Sequence, residues 1–238
     1  MIYLKHLALE PPAEAKGYPF DIPAIRALGE LALTSSVTFF VGENGAGKST
    51  LLEAIGSEAG FNVAGGSANH VYETAQKEAP LAEALRLAWL PKTHKGFFMR
   101  AESLFHFASY LDNLAGKDPS GLLHFYGGKS LHAQSHGESF LALFQSRFRE
   151  GLFLLDEPEA ALSPLRQLSL MRVIHDCEAK AQFIIATHSP ILLAYPGARI
   201  LLFDEEGLRE VRYDEVPHVR LTRSFMDKPE RYLGELFA

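Results

Sequence analysis

The sequence predicts an α/β fold with a mostly parallel central sheet flanked by helices, because three short apolar runs each end in polar chemistry. Residues 37–41 lead into Gly42-Glu43-Asn44-Gly45-Ala46-Gly47-Lys48-Ser49, residues 151–155 into Asp156-Glu157-Pro158, and residues 181–186 into Thr187-His188-Ser189-Pro190. Continuous apolarity over so short a length marks a strand buried on both faces, the usual setting of a parallel sheet. Ligands of open α/β sheets lie beyond the carboxyl ends of the strands, where all three polar sequences would emerge.

In chain order, residues 2–9 read as a first strand, which Pro11-Pro12 terminates because neither ring nitrogen can donate to a sheet. Residues 17–23 form a proline-stiffened loop. Its aromatics, Tyr18 and Phe20, are candidates to stack on an adenine ring, with plugging of a core edge as the alternative for either. Residues 42–49 complete the pattern G-x-x-x-x-G-K-S, a phosphate-binding loop. Gly42, Gly45 and Gly47 carry no Cβ, so the backbone N–H groups of the loop, Asn44 and Ala46 included, can surround phosphate oxygens. Lys48 would reach the β- and γ-phosphates. Ser49 and Thr50 open a helix whose positive end faces the anion, and the Ser49 hydroxyl is free to ligate Mg²⁺.

Beyond that helix, residues 56–66 are rich in Gly and Ala and read as a loop. Residues 81–86 read as helical, 96–100 as a short strand, and 102–114 as a second helix ending at Gly116; a further helix is expected over 139–144. At the end of the second apolar run, Asp156 fits the carboxylate on the Mg²⁺ side, and Glu157 fits a general base that polarises the attacking water. His188, at the end of the third, would stand at the same sheet edge within hydrogen-bonding reach of a γ-phosphate. Residues 200–213 read as an antiparallel hairpin around 204–207, and an amphipathic helix is expected over 229–237.

Composition narrows the function. With 47% apolar and 22% charged residues, 238 residues are enough for one well-buried soluble domain. A net charge of −6 excludes a general attraction to nucleic acid or anionic lipid, leaving only a local basic patch. No apolar run is long enough to span a bilayer and the N-terminus lacks a signal-peptide pattern, so a cytoplasmic location is expected. Cys177 shares a helical face with Leu170, Val173 and Ile174 and reads as a buried structural thiol. The histidines show no metal-ligand spacing, since His132 and His136 lack a third partner.

The order of these motifs resembles the ATPase domain of the ABC superfamily, in particular the stand-alone ATPases near its OLD-like and recombination-type branches. Members carry a signature motif between the phosphate loop and the Asp-Glu strand. Gln134-Ser135-His136-Gly137-Glu138 is similar to its L-S-G-G-Q/E: Ser135 matches the serine, Gly137 the second glycine and Glu138 the terminal Gln or Glu, while His136 replaces the first glycine. Ala160-Ala161-Leu162-Ser163 resembles the D-loop, with Ser163 where Asp is usual, and Thr187-His188 resembles the switch histidine. The Q-loop glutamine has no counterpart; Arg100 or Glu102 occupies its approximate place.

This resemblance covers residues 1–215. It implies a P-loop NTPase fold with an antiparallel β portion and a helical insertion, roughly 75–150, within a single domain over 1–238. It also implies Mg²⁺-dependent ATP hydrolysis by an ATP-dependent homodimer, in which Ser135, Gly137 and Glu138 close over the nucleotide of the other copy. Three outputs stay open: work on a partner protein or nucleic acid, service as the nucleotide-binding subunit of a membrane transporter, or a non-hydrolysing dimerisation switch. Glu157 argues against the switch, which needs no base. The missing Q-loop glutamine argues against the transporter, where that region couples to the membrane subunit.

Overall fold

The computed structural model describes residues 1–62, 80–100, 144 and 148–238. Two sheets organise them. A small antiparallel sheet joins β1 (Leu4–Leu9), β2 (Glu30–Ala32) and β4 (Leu85–Trp89) in the order β2-β1-β4. The central sheet holds β3 (Val37–Gly42), β5 (Gly96–Arg100), β6 (Gly151–Asp156), β7 (Ala181–Ala186), β8 (Arg199–Asp204) and β9 (Gly207–Val211), in the order β5-β6-β7-β3-β8-β9. Every pairing in it is parallel except the last, where β9 folds back on β8.

Every residue of β3, β6 and β7 is buried, which explains why these segments are apolar without alternation. Successive side chains still go to opposite faces. Phe39, Phe153, Phe183 and Leu202 pack on one, and Phe40, Leu154, Ile184 and Leu201 on the other. α4 (Pro164–Cys177) covers the first face through Leu170, Val173 and Ile174, joined by α5 (Pro190–Leu193) and α6 (Pro217–Asp227) through Leu192 and Val219. On the second face lie α1 (Pro23–Arg26), α2 (Lys48–Glu58), α3 (Pro80–Ala84) and the small sheet, which contributes Leu4, Leu7 and Leu85. α7 (Pro229–Leu236) follows α6 at the C-terminus and buries no residue.

The strand expected over 2–9 forms from Leu4, and the hairpin around 204–207 and the tail helix form as expected. Two expectations are corrected. α2 continues to Glu58 with Gly56 buried inside it, so the loop does not begin at 56. Residues 81–86 are not one helix: α3 ends at Ala84, and Leu85 and Arg86 start β4, paired with Leu9 and Ala8 of β1. Pairing with a distant strand overrides helical propensity there. Of the range expected to hold a helical insertion, the described part includes β4 and β5. The helices expected over 102–114 and 139–144 lie outside the described residues, save Phe144, which is helical and stacks on Phe148. Cys177, expected to be buried, is only partly so at the end of α4; its Sγ donates to the Phe148 carbonyl at 2.8 Å, and desolvation raises its pKa. No helix among the described residues is long and apolar enough to cross a membrane.

One buried polar side chain fastens the small sheet to the central one. Gln182, on β7 and fully buried, accepts at Oε1 from the N–H groups of Tyr3 and Leu4, both at 2.8 Å, and donates from Nε2 to the Leu4 carbonyl at 2.9 Å. Three backbone groups, two on Leu4 of the first strand and one on Tyr3 just before it, thus find their partners on a residue of another sheet. Gln182→Leu keeps the volume but orphans all three, and the protein should lose about 3 kcal/mol or more in urea unfolding. A loss below about 1 kcal/mol would show that the two sheets are joined by apolar packing instead.

Candidate functional site

Close packing shapes the phosphate loop. At Gly42 (φ 148°) a Cβ would meet the Phe203 carbonyl oxygen at 2.2 Å, so glycine is what lets the end of β3 lie against β8. Gly47 (φ 98°) caps α2 in the left-handed conformation, and a Cβ there would come to 3.0 Å from Ile22. Gly45 is also left-handed, Asn44 is exposed, and Ala46 packs partly against the second core face. Lys48 is buried, and its Nζ turns back to donate to the carbonyls of Gly42 at 2.8 Å and Glu43 at 3.0 Å. Burial pulls its pKa below the ordinary lysine value, against the opposing charges of Glu157, Asp156 and Glu43.

Asp156, at the end of β6, is 2% exposed, and both its oxygens are engaged. Oδ1 accepts from Ser49 Oγ at 2.8 Å and Oδ2 from Arg100 Nε at 2.8 Å. Arg100 also forms an ion pair with Glu53, one turn beyond Ser49 on α2. Ser49 and Asp156 therefore offer two hard oxygen donors side by side, the kind of set Mg²⁺ uses when waters and phosphates complete its shell. No group of three His, Cys, Asp or Glu side chains able to hold a metal occurs among the described residues.

Glu157 (φ 49°, ψ 51°) is the only non-glycine residue among those described whose backbone is left-handed. That conformation costs about 1–2 kcal/mol. Its N–H donates to the Ala186 carbonyl at 2.9 Å, tying the ends of β6 and β7 together. The carboxylate stays partly exposed, with Oε1 3.8 Å from His188 Nε2. His188 is held by its backbone: its N–H donates at 2.6 Å to Oε1 of Glu159, which lies on the 3-10 turn Pro158–Ala161. Burial raises the Glu159 pKa, with the His188 N–H opposing. Burial lowers that of the His188 imidazole, assisted by Lys48 and opposed by Glu157. A second tie runs through Gln167 of α4, whose Nε2 donates to the Leu162 carbonyl at 3.0 Å and whose Oε1 accepts from Ser189 Oγ at 2.5 Å. The same Ser189 oxygen caps α5 by accepting from the N–H groups of Ile191 and Leu192.

The structure thus brings the phosphate loop, Asp156, Glu157 and His188 to one edge of the central sheet. Of the two aromatics, Tyr18 is 73% exposed with its hydroxyl 3.3 Å from Thr50 Oγ1, while Phe20 packs partly buried against the second core face. Ser135, Gly137 and Glu138 lie outside the described residues, as do Glu102, His132 and His136. Sequence reasoning did not find Glu53, Glu159 or Gln167, and it assigned Arg100 no partner. Glu159 had a local signal, a second acid just past Pro158. Glu53 and Gln167 read as ordinary polar positions on helices.

A family model described as an AAA domain, with a candidate AbiEii toxin of a Type IV TA system in its description, matches residues 131–194. A second AAA domain model matches residues 24–60. The hemin import ATP-binding protein HmuV of Pseudomonas aeruginosa is 32% identical over 184 residues, covering 68% of this chain and 70% of that protein. Among solved structures, cbiO1 of Clostridium perfringens, part of an ABC transporter complex, matches with a TM-score of 0.50 at 17% identity, covering 100% of this chain and 99% of its own. An ATP-binding cassette of an ABC transporter in its ADP conformation matches with a TM-score of 0.50 at 16% identity, covering 98% and 100%. These two likenesses speak to the fold alone. The identity to HmuV, spread over two thirds of both chains and joined to the same fold, makes this chain a member of the ABC superfamily of P-loop ATPases.

Proposed function

We propose that this chain binds ATP together with Mg²⁺ and hydrolyses it as an ATP-sandwiched homodimer, driving a transaction on a partner protein or nucleic acid. The observation that carries this reading is the pairing of Glu157 and His188, 3.8 Å apart, beside a phosphate loop whose lysine is folded back onto the loop's own carbonyls. Lys48 and the N-terminus of α2 would neutralise the β- and γ-phosphates, with the loop N–H groups donating to their oxygens. Ser49 and Asp156 would hold Mg²⁺, which when bound offsets the charge of the phosphates. Glu157 would take a proton from the attacking water, and His188 would donate a hydrogen bond to the terminal phosphate. Tyr18, exposed beside Thr50, is the better placed of the two aromatics to stack on adenine. Ser135, Gly137 and Glu138 would complete the site of the second copy, a role supported by the sequence resemblance.

A second reading, the nucleotide-binding subunit of a membrane transporter, is favoured by the identity to a hemin import ATP-binding protein. Arg100 in the approximate place of the Q-loop glutamine, committed to Asp156 and Glu53, favours the first.

Glu157→Gln keeps the side chain's shape and removes the base. Hydrolysis should slow by roughly 10²-fold or more while ATP binding persists. With ATP and Mg²⁺ the variant should run as a dimer in size-exclusion chromatography with light scattering. Wild-type turnover in the variant would remove Glu157 as the base, and loss of turnover without a dimer would remove the sandwich.

The hold of Glu159 on His188 gives a pH signature. Because burial raises the Glu159 pKa above its ordinary 4.5, the native state keeps a proton there that the unfolded chain has released. Its contribution to stability is therefore complete below pH 4.5 and falls away as pH rises through the raised value. Glu159→Gln still accepts from the His188 N–H but does not titrate. Measured by urea unfolding at a series of pH values, wild type should lose stability relative to this variant as pH climbs above 4.5; parallel curves would refute the assignment.

A further inference from the structure

A second histidine stands beside His188, delivered by the segment that follows the central sheet. The segment from β9 into α6 is anchored on the first core face by Val211, Val216 and Val219, all buried. Tyr213 fastens it again, its hydroxyl donating at 3.0 Å to the carbonyl of Pro190, two residues past His188. Between the anchors Val216 and Val219 lies His218, whose ring centroid is 5.9 Å from that of His188 at an interplanar angle of 51°. Apolar packing and one hydrogen bond thus fix this imidazole against the switch histidine.

Both rings share an unusual feature. Nε2 of His188 and Nε2 of His218 are buried and have no hydrogen-bond partner among the described residues. A buried polar atom without a hydrogen bond costs about 1–3 kcal/mol, so two on neighbouring rings have donor or acceptor capacity that the described residues do not use. The charges that act on His188 are those of Lys48, Glu157 and Glu43, and those that act on His218 come from His188, Lys48 and Glu43. Both imidazoles therefore feel the charges of Lys48 and Glu43 in the phosphate loop, and the ring contact puts His218 next to His188 at that sheet edge. Burial lowers the pKa of each, with Lys48 adding to the effect at His188 and His188 at His218, so each ring is neutral near pH 7 and has one N–H to donate.

We propose that His218 is a second histidine of the γ-phosphate site, donating a hydrogen bond to the terminal phosphate of bound ATP alongside His188. The proposal rests on the ATP-binding reading above and adds to it a residue from α6, outside the three motifs of the sheet edge. ATP and ADP differ by the group that His218 would contact. Its contribution is therefore a discrimination between nucleotides, which a purely packing role would not produce.

Calorimetric titration of the full chain with ATPγS and with ADP, each with Mg²⁺, tests it. His218→Leu should weaken ATPγS about tenfold or more, the scale of a hydrogen bond to a charged group, and leave ADP unchanged. His218→Gln, whose amide can donate from near the place of Nε2, should recover most of the loss. Should the leucine variant fail to fold, His218→Asn, polar but too short to reach, should show the same selective weakening. Equal weakening of both nucleotides, or none, overturns the role of His218 while the ATPase reading stands. Failure of the wild-type protein to bind ATPγS overturns both.

Discussion

The site depends on the carboxylate of Asp156. At 2% exposure it has lost nearly all its water, and a buried carboxylate without partners would cost several kcal/mol. Its two oxygens are met from opposite sides, by Ser49 at the start of α2 and by Arg100 at the end of β5. Glu53 closes the circuit by holding Arg100 from the next turn of α2. Three elements far apart in sequence must therefore arrive together before this charge is tolerable. The phosphate loop, which lies between β3 and α2, is fixed in the same act.

The double-sided core explains why the chemistry gathers where it does. Strands buried on both faces have no free surface along their length, so groups that must meet a ligand can appear only at their ends. β3, β6 and β7 lie side by side and parallel, and their carboxyl ends deliver the loop, the Asp-Glu pair and the Thr-His pair to a single edge. Contacts across the strand ends then refine the positions. The Glu157 N–H reaches Ala186, and Glu159 receives the His188 N–H, so the turns after β6 and β7 behave as one unit.

That parallel core and the sheet edge could be read in the sequence because their signals are local: an apolar run, then a polar motif. Residues 37–42, 151–156 and 181–186 declare themselves in this way. What could not be read is held by partners distant in the chain. β4 is a strand because β1 is beside it, although residues 81–86 look helical in isolation. β2 carries no strong local pattern, whereas α6 has one, an amphipathic run opened by Pro217, that sequence reasoning did not find. The Arg100 link to Asp156 and Glu53, the Gln167 bridge between Leu162 and Ser189, and the approach of His218 to His188 all join residues that nothing in their own neighbourhoods connects.

The left-handed backbone of Glu157 sets folding against the role proposed for its carboxylate at one position. Glycine adopts that conformation without the steric penalty that a side chain incurs, and asparagine incurs less of it than most. With Glu157 in the role of base proposed above, a selection for thermal stability alone, blind to turnover, would drift toward those residues at 157 and trade that role for sturdiness. The glutamate is retained where the polypeptide would fold more comfortably without it.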